Sequence, residues 1–203
     1  MTEIVINHKI IQDDYSQNAT INDIIVAQGE YSPEHIITVL ELDGDDVLSP
    51  SSSELEQSIG QFKNIRIKVQ SPLELAIESL DDSTRYIDNI IYNIQDTIKL
   101  YEQNLPVEAN QKFTEVIDIM DLFIQLITKI NSTIKKHRPG KLSNNEMLQK
   151  LEIHLLSILK ALLPAKEKND IIMLCDLLEY ELIDNLRQWK LQVIPELKRI
   201  GRE

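Results

Sequence analysis

Residues Phe62–Leu80 read FKNIRIKVQSPLELAIESL, and the period of their apolar side chains changes at Ser71. Up to Gln70 the pattern alternates. Ile65, Ile67 and Val69 fall on one face and Arg66 and Lys68 on the other, the signature of a half-buried strand. Ser71 then offers a helix cap. Pro72 fits the first helical position, where its missing N–H costs nothing, and Glu74 completes a capping box. From there apolar or small residues recur at 73, 77, 80, 84, 87, 91, 94, 98, 101 and 105. The alternating steps of four and three form a heptad seam. The stretch therefore predicts an α+β chain in two parts, residues 1–70 rich in strands and residues 71–203 helical.

Toward the N-terminus, EIVINHKII reads as two short strands about an Asn7-His8-Lys9 turn. Thr20 and Asp23 mark the start of a short helix that Gly29 stops. HIITVLELDGDDV is a strand, an Asp43-Gly44 hairpin turn and a brief return. SPSSSELEQSIG is a polar link with one helical turn, and Ile65–Val69 closes the set. This order resembles a ubiquitin-like, β-grasp-like module over residues 1–70.

Toward the C-terminus, Asn104-Leu105-Pro106 breaks the first long helix. A second carries Phe113, Val116, Met120, Phe123, Ile127, Ile130 and Ile134 on one seam. It adds Ile117, Ile119, Leu122, Ile124 and Leu126, so it is apolar around most of its circumference, as a central helix is. KKHRPGK ends it with cations and a Pro-Gly turn. Ser143 and Glu146 suggest a capping box for a third helix, seamed by Leu148, Leu151, Leu155, Ile158 and Leu162 and stopping near Pro164. A fourth runs from about Asn169 to Ile200. An antiparallel four-helix bundle is expected.

The fourth helix contains DLLEYELIDNLRQW, Asp176–Trp189. At about 100° per residue its core stripe is Ile171, Cys175, Leu178, Leu182, Leu186, Trp189 and Val193. Its carboxylates scatter around the stripe rather than converge, which reads as a solvated face, not an acid–base pair. Cys175 reads as a buried small hydrophobe. Tyr180 lies opposite the stripe with Met173, Leu177 and Leu191, and that outer stripe implies a second contact. The LLEYEL segment, after a heptad helix and a β-grasp-like start, resembles uncharacterised bacterial proteins; that resemblance brings no activity with it.

Composition narrows the chemistry. The chain of 203 residues has formal net charge −12; residues 1–70 hold 12 acidic and 4 basic residues, the rest 21 and 17. Without clustered cations, neither nucleic acid nor an anionic membrane surface is an expected partner. The sole cysteine excludes an internal disulfide and multi-cysteine metal sites. There is no apolar run of membrane-spanning length and no signal-peptide pattern, so a cytoplasmic location is expected. Five glycines form no phosphate-binding loop. DGDDVLSPSSSE departs from a calcium loop. Glu152 and His154 stand two positions apart, not the three a di-iron helix uses. No catalytic residue, metal or cofactor is expected.

What remains is protein binding. The expected function is a non-enzymatic interaction, scaffold or adaptor protein, with a small acidic helical chaperone of the secretion or flagellar export type as the alternative. The partner is a protein or a second copy of the chain. The third helix is shorter than the first two, which predicts an uncovered seam at the Pro106 end. Tyr101, Leu105 and Phe113 are therefore the candidate partner-binding residues, extended by Leu177 and Tyr180. The rival expectation is that Pro164–Lys168 folds over the gap as a loop.

Overall fold

The computed structural model describes residues 2–12, 15–29, 34–48, 50–141 and 146–203. The chain is α+β and divides into two compact units, Met1–Leu75 and Ala76–Glu203.

The first unit is a five-stranded mixed sheet with one helix. Strands β1 (Glu3–Ile6), β2 (Lys9–Ile10), β3 (Ile36–Leu42), β4 (Asp45–Asp46) and β5 (Asn64–Gln70) lie in the order β2-β1-β5-β3-β4. β5, the alternating strand, is central. It runs parallel to β1, with Ile4 opposite Ile65 and Ile6 opposite Ile67, and antiparallel to β3, with Leu40 opposite Ile67. The hairpin turns use left-handed backbone at Asn7 and His8 and again at Asp43 and Gly44. Both turns are also tied to β5, at its opposite ends: Asn7 Oδ1 accepts from the Val69 amide at 2.9 Å, and Asp43 Oδ1 from the Lys63 and Asn64 amides at 2.7 Å. Helix α1 (Ile21–Ala27) starts at the Thr20–Asp23 capping box and buries Ile21, Ile24 and Ile25 against Ile4, Ile6, Leu40, Ile65 and Ile67. A single turn, α2 (Ser52–Leu55), and a 3-10 turn at Ile59–Gln61 lead into β5.

Helix α3 (Pro72–Glu102) opens on the Ser71–Glu74 capping box. Its buried side is Ala76, Leu80, Ser83, Ile87, Ile90, Asn93, Ile94, Thr97, Ile98 and Tyr101. Leu80, Ile87, Ile94, Ile98 and Tyr101 of the expected seam lie on it, but the face is rotated toward Ala76, Ser83, Ile90 and Thr97, and the seam members Leu73, Ile77, Thr84 and Ile91 are only half-buried. Ser83 and Thr97 make the rotation possible. Each hydroxyl donates to the carbonyl four residues back, at 2.8 Å, so each enters the core with its hydrogen bond made. Asn104, with φ 56°, turns the chain into α4 (Pro106–His137), which buries all seven expected seam residues.

Helix α5 spans Glu146–Glu167. The cap expected at Ser143 lies outside the described residues. The expected stop at Pro164 does not occur. Pro164 is on the exposed side, so the carbonyl freed at Lys160, itself exposed, faces water and the helix continues. The remaining run is helical from Ile171 to Arg202, as α6 (Ile171–Asp176), a wide π segment π1 (Leu177–Leu182), α7 (Ile183–Gln188), a second, π2 (Trp189–Val193), and α8 (Ile194–Arg202). Its core positions explain the π turns. Leu174, Leu178, Leu182 and Leu186 are spaced by four, as are Trp189, Val193 and Leu197. At about 100° per residue each such step overshoots a turn by about 40°, and the wider i→i+5 turns take up that drift. The same shift corrects the expectation for Cys175: Leu174 holds the core position and Cys175 is half-buried. Pro195 is the second residue of α8, one position past π2, and the chain stays helical there.

Packing within this unit joins all the long helices. α5 lies along α6, π1, α7 and π2, and α4 meets α8. Lys190 on π2 reaches both carboxylate oxygens of Asp88 on α3 at 2.6 Å, and Lys198 on α8 pairs with Asp81.

Candidate functional site

The surplus apolar residues of α4 find a use along α5. The two helices leave an open groove between Phe113, Ile117, Met120 and Ile124 on one side and Leu159, Leu162 and Leu163 on the other, with a volume of about 470 Å³. A second cavity of about 240 Å³, lined by Ile127, Leu155, Leu156 and Trp189, lies next to it and shares Ile124 with it. Leu163 and Leu156 are 62% and 52% exposed, high values for leucines on a core-forming helix. Both spring from the sequence pattern. α5 carries leucine or isoleucine at 153, 156, 159 and 163, outside its buried seam at 148, 155, 158 and 162.

Each end of the groove holds a charged side chain with no ion pair among the described residues. At the Phe113 end, Lys166 donates to the Tyr101 hydroxyl at 2.9 Å and to Asn110 Oδ1, and Tyr101 donates to the same Asn110 oxygen at 2.7 Å. Its ammonium stands 5.3 Å from the Phe113 ring centre and 5.5 Å from that of Tyr101, a cation–π arrangement. All these partners are neutral. At the other end Glu152 borders the apolar section. Burial pushes its carboxyl above the usual carboxylate range, and Lys135 only partly offsets this.

The five residues expected to bind a partner divide. Tyr101 and Phe113 are buried within the chain, because the last turn of α5 brings Lys166 over them where a gap or a loop was expected. Phe113 still lines the groove. Leu105, in the α3–α4 turn, is 38% exposed. Leu177 is half-buried and Tyr180 exposed, both on π1. Tyr180 borders a separate polar cleft between α3 and the π1–α7 run, where Lys99, Glu102, Glu179 and Arg187 mix both signs of charge.

One contact escaped the sequence reading. His154 Nε2 lies 3.1 Å from Glu181 and its Nδ1 3.2 Å from the Asn185 amide nitrogen, which also reaches the Leu151 carbonyl. Asn185 donating to Nδ1 places the ring proton on Nε2, facing Glu181. Residues 27 apart in sequence give no local signal of such a pair. It ties α5 to π1 and α7.

Among the described residues no group of three or more His, Cys, Asp or Glu side chains is arranged to hold a metal ion, and no helix is long and apolar enough to cross a membrane. A family model described as a domain of unknown function, DUF8042, matches residues 78–192, which takes in α4 and α5 entire. No curated protein and no solved structure matches the chain.

Proposed function

The chain belongs to the DUF8042 family, a domain of unknown function, and we propose that it is a non-enzymatic protein-binding module of the adaptor or scaffold kind. The observation that carries this reading is the groove between α4 and α5. It is largely apolar and open, its two sections meet at Ile124, and its floor is made of side chains that a self-contained helical unit has no need to leave apolar. A contiguous exposed apolar patch rimmed by polar residues is one mark of an interface. The architecture agrees with such a role. The sheet order β2-β1-β5-β3-β4 with one helix between the second and third strands supports a ubiquitin-like topology for the first unit. The seams of α3, α4, α5 and the α6–α8 run support an antiparallel four-helix bundle for the second.

The test is affinity capture with wild type beside Leu163→Glu and Leu156→Glu. Both leucines are largely exposed, so the variants are expected to fold. Partners recovered by wild type and lost with both variants support the reading. The same set of proteins recovered by all three refutes it. A folded partner fits an adaptor. A client recovered only before it folds would favour the chaperone alternative.

A further inference from the structure

The groove has a polarity, and the polarity describes its occupant. From Phe113 to Thr128 the α4 wall spans fifteen residue steps, about 22 Å at about 1.5 Å per residue, the length of roughly four helical turns. A cation with only neutral partners stands at one end, and a carboxylate whose burial Lys135 only partly offsets stands at the other. Lys166 has only neutral partners in a chain with 33 acidic residues. Glu152 sits against the apolar section at the opposite end, partly desolvated, with neither hydrogen bond nor ion pair among the described residues. Leaving a partly buried charge without a counter-charge costs free energy that a complementary ligand recovers. An α-helix is complementary by construction: negative at its C-terminus, positive at its N-terminus, and apolar along one stripe.

Resting on the protein-binding reading above, we propose that the groove takes one amphipathic helix of a partner protein, about four turns long. It lies antiparallel to α4, with an acidic C-terminal end at Lys166 and a basic residue near its N-terminal end at Glu152. That direction is antiparallel to α4 and parallel to α5, so the macrodipoles of the two walls roughly offset each other and the end charges set the direction. Leucine-sized side chains at i, i+3, i+4 and i+7 fill the groove past Ile117, Ile124, Leu159 and Leu163. The second copy of the chain is the poorer occupant. The net charge of −12 is carried by each copy, and the α4 wall adds Asp121 to the contact.

The test is a display selection with the full chain as bait. The library consists of eighteen-residue amphipathic helices with fixed leucine stripes and Lys, Ser or Glu randomised at both ends, counter-selected on Leu163→Glu. The expected pool carries Glu at the C-terminal end and Lys at the N-terminal end. A representative peptide should bind Lys166→Glu about tenfold more weakly, the size of a charge-assisted hydrogen bond, and changing its terminal Glu to Lys should restore the affinity. A pool that binds wild type and not Leu163→Glu but shows no end preference overturns the polarity and leaves protein binding standing. No pool that distinguishes wild type from Leu163→Glu overturns both. A wild-type dimer in light scattering that Leu163→Glu dissociates gives the groove to a second copy and overturns the inference.

Discussion

The rings of Phe123 and Trp189 meet edge to face, centroids 5.9 Å apart and planes at 84°, and this contact joins α4 to π2. Both side chains are 1% exposed. Trp189→Ala should therefore destabilise the helical unit by about 3–5 kcal/mol through the cavity it leaves. A double-mutant cycle with Phe123→Leu and Trp189→Leu, each of which removes one ring, should return a coupling of about 0.5–1.5 kcal/mol, the range for aromatic pairs. Urea melts followed by far-ultraviolet circular dichroism measure both. A coupling indistinguishable from zero would mean the ring geometry adds nothing beyond area.

Gly201 should reverse the usual sign of a helix glycine. In α8, Gly201→Ala gains up to about 1 kcal/mol in propensity. The added Cβ, however, would lie 2.9 Å from Ile77 Cγ1 and 3.1 Å from its Cδ1 on α3. Overpacking costs about 1–3 kcal/mol, so a net loss is expected, recovered in the Ile77→Ala, Gly201→Ala double variant. A lone Gly201→Ala that raises the melting temperature would contradict this.

The same contrast between local and distant effects decides what was legible in the sequence. Strand β5, the α1 and α3 capping boxes, the Asn7-His8 and Asp43-Gly44 turns and the entire α4 seam depend on spacings within a few residues, and all stand where the pattern puts them. The rotated α3 seam was hidden because Ser83 and Thr97 look polar until their hydroxyls are seen bonded to their own helix. The π turns were hidden by the assumption of a constant 100° per residue, although the four-residue spacing of Leu174, Leu178, Leu182 and Leu186 was there to be read. The groove needed α4 and α5 side by side. A helix stop at Pro164, the local expectation, takes Lys166 out of the helix and so out of the site, whereas α5 runs on to Glu167.

Cys175 should react slowly. Burial raises its thiol above the ordinary value, and the nearby carboxylates of Glu102, Asp176 and Glu179 raise it further. The thiolate is the reactive form, so at neutral pH alkylation should lag behind a free cysteine and accelerate as pH rises. Glu179→Gln removes one of the opposing charges and should speed the reaction at fixed pH. Labelling followed by intact-mass spectrometry reads the rate; a rate equal to that of free cysteine would show the thiol to be unshielded.

Glu152→Gln should stabilise the folded chain, and only above acidic pH. The carboxyl of Glu152 is raised by burial in the folded state. For a raised acid the penalty is absent below the unfolded value, where both states are protonated. It grows as pH climbs through that value and is full above the folded one. The amide has no such titration. Wild type and Glu152→Gln should therefore melt alike near pH 3, with the variant gaining up to about 1 kcal/mol by pH 7, since the group is only partly desolvated. A gain that persisted unchanged at low pH would assign the effect to packing rather than charge. The same variant removes the negative end of the groove. If stability rises while the bound helix loses its preference for a basic N-terminal residue, Glu152 is held in an unfavourable place for the sake of binding.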